Sequence, residues 1–272
     1  MKTPAYYKAG GFSFKNGIKG GKMAKKQENE CAQPRDSVKI KDKGKVKMIA
    51  HRGLSALQPE NTCAAFLAAA KRSYYGIETD IRLTADGKFA LIHDDNLNRV
   101  FGVRKRVRKA TLAELRSVRG MVDGKPRADF QIPVLKEFLG ICRAYQKQAV
   151  IEIKDGLTQA EAGALVAEVE KENALQHTIF ISFCKRNLLR IKKVYPQANT
   201  QWLRKRLNVF AVWVALRNKM DLAVRKTGLN AYMVGAFLQK GGKINVWTVD
   251  TEAEFTAAKK LGVTYVTTNV LE

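Results

Sequence analysis

No stretch of this 272-residue chain approaches the roughly 18 to 20 consecutive apolar residues that a membrane-spanning helix requires. The basic N-terminus is not followed by the apolar run and small-residue site of a signal peptide, so the expected location is the cytoplasm, with peripheral membrane contact left open. Cysteine is scarce as well. Cys31, Cys63, Cys142 and Cys184 contain no CxxC spacing, which argues against a disulfide framework and fits reduced thiols. Only three histidines are present, and no His/Cys cluster suited to a thiolate-type zinc site. Acids are outnumbered: 25 Asp and Glu face 49 Lys and Arg, for a formal charge of +24 and a pI near 10.0. Such a balance attracts polyanions, whether nucleic acid, an anionic membrane or acidic substrates. A solubilising excess spread over many lysines is the weightier reading, and no specific nucleic-acid site is expected.

What is present is a chain with 46% hydrophobic residues, enough for a real core. Residues 1–46 carry many Lys and Gly, few large aliphatics and no period, so a flexible basic tail is expected there, with Tyr6, Tyr7, Phe12 and Phe14 among its lysines. From Val46 onward short apolar strands alternate with helical patterns. Expected strands fall at 46–50, 76–83, 88–92, 149–154, 178–183, 199–203, 244–249 and 263–267, and capping boxes open helices at Thr111, Thr158 and Thr251. Asn61 is the expected cap of the first helix. Residues 98–132, with the basic run Arg104–Lys109, break the rhythm and read as an insertion after the third strand. Residues 204–243 read as two or three helices. Eight strands, most followed by a helix, favour a parallel (β/α)8 barrel in residues 47–272 over a doubly wound sheet.

Chemistry concentrates between His51 and Asp94. Glu78 and Asp80 lie two apart in a strand and therefore share a face, a costly arrangement for two buried like charges unless a cation joins them. Glu152 ends another strand. These three offer hard oxygen ligands for one divalent cation, Mg²⁺ or Ca²⁺; ion pairs with Arg82 and Lys154 are the competing reading. Glu60 reads as an outer partner that holds a metal-site group in place, with a fourth ligand as the lesser alternative. His51 and His93 each end a strand, and such a pair suits acid and base work near neutral pH. His177 precedes its strand and is left out. Arg52 and Lys154 supply the fixed positive charge that a phosphate needs. Together these groups point to phosphodiester cleavage.

The run His51-Arg52-Gly53, Pro59-Glu60-Asn61-Thr62, Glu78-x-Asp80, Thr84-x-Asp86-Gly87, His93-Asp94, Glu152-Ile153-Lys154, Ser182-Phe183 and Val246-Trp247-Thr248-Val249 resembles the glycerophosphodiester phosphodiesterase family, in the family's order. The resemblance implies a TIM barrel with a small insertion after the third strand. It also implies His51 and His93 as the acid/base pair, Glu78, Asp80 and Glu152 as metal ligands, Arg52 and Lys154 as phosphate contacts, and Trp247 as a wall for the glycerol moiety. The implied reaction yields glycerol 3-phosphate and an alcohol, with no decision on which histidine is the base. The chain departs from the family where Thr268-Asn269 replaces a usual Thr-Asp and where no final helix follows. The basic N-terminal segment or a second subunit is expected to cover that flank. Competing readings are a phospholipase D-like enzyme acting on lysophospholipid or sphingolipid, and a non-catalytic basic barrel that binds polyanions.

Overall fold

The computed structural model describes residues 36–122 and 124–272. Eight parallel strands close into a barrel: β1 (Lys47–Ala50), β2 (Gly76–Leu83), β3 (Gln148–Ile153), β4 (Thr178–Ser182), β5 (Asn199–Arg204), β6 (Asp221–Arg225), β7 (Ile244–Trp247) and β8 (Tyr265–Thr268). Each pairs with the next, and β8 returns to β1 in the register Lys47 to Tyr265. The helices α1 (Cys63–Ala70), α2 (Leu135–Ala144), α3 (Gln159–Lys171), α4 (Lys185–Val194), α5 (Val209–Arg217), α6 (Ala231–Gln239) and α7 (Glu252–Lys260) connect them.

The strand count matches the expected eight through two compensating differences. The expected third strand, Phe89–Leu91, runs antiparallel to β2 with Ile81 opposite Leu91, so it is half of a hairpin and no stave of the barrel. The missing stave is β6, which lies inside the stretch read as helices. Its sequence Asp-Leu-Ala-Val-Arg is short and carries a charge at each end. A central parallel strand is buried on both faces and shows no alternation, so it looks like any short apolar run. The excursion accordingly opens at the turn after Leu83 and not at residue 98. It folds on a small core of its own, with Phe101 and Phe130 rings 5.2 Å apart and Leu97, Val107 and Leu115 beside them.

Local signals explain most helix starts. The capping boxes at Thr111 and Thr158 form with both reciprocal bonds. At Thr251 the hydroxyl accepts from Glu254 N, while the Glu254 carboxylate turns to Asp250 N. The first helix is capped by Thr62, whose hydroxyl accepts from Ala65 N, and not by Asn61. That releases Asn61 for the site. Residues 36–46, grouped by composition with the basic tail, are seated on the barrel. Val38 N donates to Val270 O at 2.9 Å, Ile40 N donates to Glu272 O at 2.6 Å, and both side chains pack on the main core. The boundary expected at residue 46 therefore falls earlier; residues 1–35, with Cys31 and the four aromatics, lie outside the described residues. Two apolar layers hold the barrel. A large one joins the outer strand faces to the helices, and Ile49, Val150, Ile179, Ala223 and Tyr265 plug the interior beneath the mouth. Each fully buried Ile or Leu contributes about 1.5–3 kcal/mol.

Candidate active site

Strand period and register bring the carboxylates together. Glu78 and Asp80 point inward from β2, and Asp80 sits beside Glu152 across the β2–β3 pairing. One oxygen from each of the three lies within 4.8 Å of the others, all buried, and the group could hold a metal ion. Two oxygens of the cluster, Glu78 Oε1 and Asp80 Oδ1, make no hydrogen bond among the described residues, and Asp80 Oδ1 is met only by the Lys154 ammonium at 3.4 Å. Buried acceptors without partners are costly, and a divalent cation would satisfy both.

The charge pattern agrees. Burial, and then the neighbouring Asp80 and Glu152 charges, hold the Glu78 carboxyl well above its ordinary value. Burial and Asp80 push Glu152 up to about 7. For Asp80 burial acts upward too, but Arg52, Lys154 and the Asn61 bond outweigh it and bring the carboxyl to about 2. Without a cation the cluster thus takes up protons, as a metal site does when its ion is withdrawn.

The surrounding groups are fixed by their own partners. Arg52 has a left-handed backbone, φ 56°, which aims its N–H at Glu78 Oε2 (2.8 Å). Its guanidinium reaches Glu60 Oε1 at 3.0 Å and Asp80 Oδ2 at 3.2 Å. Gly53 follows because a Cβ there would lie 2.6 Å from the Ala65 carbonyl carbon. Lys154 bridges Glu152 Oε1 (2.8 Å) and Asp80 Oδ1 (3.4 Å). The competing pairing is therefore partly real: Lys154 does bind Glu152, whereas Arg82 turns away to Asp155 at 2.7 Å. Glu60 is clamped between Arg52 and Arg99, on the outer side of the cluster.

His51 Nδ1 lies 2.8 Å from Asn269 Oδ1, and Asn269 Nδ2 donates to Asp250 Oδ2 at 2.7 Å. His93 is delivered by the hairpin and not by a barrel strand. Its carbonyl accepts from Arg82 Nε (2.8 Å), its Nδ1 lies 2.7 Å from Asp94 Oδ1, and Arg99 holds the other Asp94 oxygen. Burial and the Arg52 charge push His51 down to about 4; burial also lowers His93. A cavity of about 160 Å³ is lined by His51, Arg52, Glu78, His93, Glu152, Lys154 and Trp247, with Phe183, Asn245 and Thr267. The Phe183 and Trp247 rings meet edge to face at 5.7 Å, and the buried Trp247 Nε1 has no partner among the described residues.

Of the expected site residues, then, all but Asp80 and Glu60 line one cavity; Asp80 completes the acid cluster just beneath it, and Glu60 faces the adjoining depression. The sequence reading missed three groups. Asn61, assigned to a helix cap, gives Nδ2 to Asp80 Oδ2 (2.9 Å) while its Oδ1 accepts from Thr79 Oγ1 and Asp80 N. Asp250 and Asn269 support His51. Asp94 and Arg99 support His93. For Asn269 the signal was its departure from Thr-Asp; nothing local marks Asp250 or Arg99, because their partners are remote in sequence.

An acid cluster, two imidazoles and two fixed cations at a barrel mouth define a phosphodiester hydrolase of the TIM-barrel class. Comparison with known proteins gives the particular family. The model of the glycerophosphoryl diester phosphodiesterase family matches residues 51–272, and the chain belongs to that family. It is 30% identical over 223 residues to the glycerophosphodiester phosphodiesterase of Caldanaerobacter subterraneus subsp. tengcongensis, covering 80% of this chain and 92% of that one. It is 26% identical to glycerophosphodiester phosphodiesterase 1 of Bos taurus over 267 residues, covering 86% and 81%. Among solved structures, the Thermotoga maritima glycerophosphodiester phosphodiesterase superposes with a TM-score of 0.68 at 27% identity, covering 82% and 94%. An Oleispira antarctica phosphodiesterase in complex with the product sn-glycerol-3-phosphate shares the fold, with a TM-score of 0.72 at 23% identity and coverage of 82% and 92%.

Proposed function

We propose that this protein hydrolyses glycerophosphodiesters to glycerol 3-phosphate and an alcohol, with one divalent cation, Mg²⁺ or Ca²⁺, held by Glu78, Asp80 and Glu152. The observation that carries the reading is the pair of buried oxygens without a hydrogen bond, Glu78 Oε1 and Asp80 Oδ1, in an acid cluster beside two histidines. An all-oxygen donor set suits a hard cation. When bound, that ion would offset charge on the phosphate oxygens as it grows. Arg52 and Lys154 add positive charge in the same cavity.

Hydrogen-bond partners support a division of roles between the histidines. Asn269 spends its Nδ2 on Asp250, so the oxygen faces His51, which must keep a proton on Nδ1 and a lone pair on Nε2. With no carboxylate to hold it protonated, His51 serves as the base in this reading: its Nε2 takes a proton from water as the water oxygen attacks phosphorus. At His93 the Asp94 carboxylate on Nδ1 favours the protonated ring against the effect of burial, and His93 gives its proton to the alcohol oxygen as the P–O bond breaks. One water is consumed, and glycerol 3-phosphate and the alcohol leave. Each transfer is worth about 10² to 10⁴ in rate. Trp247 and Phe183 form the wall for the glycerol moiety, and the sn-glycerol-3-phosphate bound as product by the Oleispira antarctica phosphodiesterase supports the choice of product. No helix among the described residues is long and apolar enough to cross a membrane, and Cys63, Cys142 and Cys184 are unpaired, which suits the cytoplasm.

The test is hydrolysis of glycerophosphocholine and of lysophosphatidylcholine, with and without chelator, by wild type and His51→Ala. Turnover of the soluble diester, abolished by chelator, restored by Mg²⁺ or Ca²⁺ and about 10² to 10⁴ lower in His51→Ala, is the expected result. Turnover of the lipid alone would establish the phospholipase D-like reading, which the exposed Phe210, Trp213 and Tyr232 beside the mouth favour. Turnover of neither would leave a non-catalytic barrel.

A further inference from the structure

Across the mouth from the acid cluster the surface changes character. Between Asn173 and Val249 the chain carries 14 lysines and arginines and one acid, Asp221. That carboxylate starts β6, at the end of the barrel away from the mouth, where it accepts from Lys243 N at 2.9 Å. On this side α5 and α6 turn apolar side chains to solvent. Val209, Phe210 and Trp213 are 69%, 60% and 55% exposed, and Tyr232, the second residue of α6, is 83% exposed. Ala211, Val214 and Ala215 already fill the inward face of α5, so the exposed set is a second apolar stripe that the core does not use. Phe210 and Trp213 share one face, with ring centres 6.3 Å apart.

The topology puts this stripe at the mouth. Each helix follows the C-terminal end of a strand, so the starts of α5 and α6 lie on the same rim as the catalytic cavity. The loops that lead into them touch: Leu207 N donates to Gly228 O at 2.9 Å, and a Cβ on Gly228 would overlap the Lys205 carbonyl. Cations flank the rings. Lys205 and Arg206 are exposed, and the Arg217 guanidinium stands 5.6 Å from the centre of the Trp213 ring.

We propose that Val209, Phe210, Trp213 and Tyr232, flanked by Lys205, Arg206 and Arg217, form a docking surface for an anionic phospholipid bilayer and hold the mouth against it. Aromatic rings settle at the head-group level of a bilayer, and lysines and arginines beside them are drawn to an anionic leaflet. A second copy of the chain is a poorer occupant, since a self-complementary contact would bring the same uncompensated cations together. The surface does not depend on which diester is cleaved, so binding and turnover are separable.

The test is co-sedimentation of the full chain with phosphatidylcholine vesicles, with and without phosphatidylglycerol, at low and high salt. Wild type should pellet with the phosphatidylglycerol vesicles and less so in salt, with Trp213 fluorescence shifted to the blue. Phe210→Ser, Trp213→Ser and Tyr232→Ser combined should lower partitioning about tenfold or more, with an unchanged circular-dichroism melt and unchanged glycerophosphocholine turnover. Tyr232→Ser alone, at the most exposed position, should show a smaller loss in the same direction and serves if the triple variant misfolds. The idea is overturned if wild type ignores phosphatidylglycerol vesicles, or if the variants pellet as wild type does. It is equally overturned if wild type is a dimer on gel filtration that the triple variant dissolves, or binds an oligonucleotide but no vesicle.

Discussion

From β1 through α3 the mouth is built of carboxylates, most of them answered by a cation or by an asparagine; from β4 through α6 it is built of rings and cations with scarcely an acid. Residues 36–172 contain 18 Asp and Glu, against the single Asp221 in residues 173–249. At the acid cluster of the first half opposite charges lie within 3.5 Å of one another and are mostly buried, so their fields are short-ranged and fix geometry. In the second half most of the cations lie exposed with few anions nearby, and their field extends into solvent to about a Debye length, roughly 8–10 Å. The difference teaches that the net charge of +24 is no uniform coat. One half spends charge on positioning a reaction centre, and the other leaves it free to attract.

The largest effect expected is in the first half. Asp80→Asn should lower kcat on glycerophosphocholine by about a thousandfold or more, since it removes a proposed cation ligand and the partner of Arg52, Lys154 and Asn61. Arg206→Gln, in the second half, should leave that activity within about twofold; comparable losses in steady-state assays would dissolve the contrast. Next comes Asn269→Ala, which should cost about 10- to 100-fold in kcat with KM nearly constant, because it frees the His51 ring without touching substrate contacts. Asn269→Asp should restore most of the rate and raise the pH at which activity begins, since a carboxylate stabilises the imidazolium.

A smaller effect separates the halves by pH. Glu78 and Glu152 hold protons in the metal-free fold above the ordinary carboxyl value of 4.5, with Glu152 near 7. Raised folded values mean that stability present below about pH 4.5 is lost as pH climbs through about 7. The melting temperature in chelator should therefore fall between about pH 5 and 8, and saturating Mg²⁺ or Ca²⁺ should flatten the fall; calorimetry at several pH values decides this. Smallest of all, Phe210→Ser should shift unfolding free energy by no more than about 0.5 kcal/mol in urea titrations, because the ring is exposed. A larger loss would mean that the second half is packed against something.

Much of the site was legible along the chain. His51, Arg52, Glu78, Asp80, His93, Glu152, Lys154 and Trp247 were marked by strand ends and motif order, and they converge. Less legible were groups whose role depends on a partner far away: Asn61 mimics a helix cap, and Asp250 and Arg99 look like ordinary surface charges until Asn269 and Glu60 meet them. The acid-free run from Asn173 to Met220 was readable too, yet it acquires meaning only beside the exposed rings of α5 and α6.

Sequence by itself determined the alternation of strand and helix, the inward face of Glu78 and Asp80 and the identity of the family, because these follow from local period and residue type. Tertiary structure alone decided that Phe89–Leu91 leaves the barrel and Asp221–Arg225 enters it, that Lys154 and not Arg82 joins the carboxylates, and that His51 faces an amide oxygen. Those outcomes depend on which strands pair and which side chains meet after closure, and interactions between distant residues leave no period in the chain.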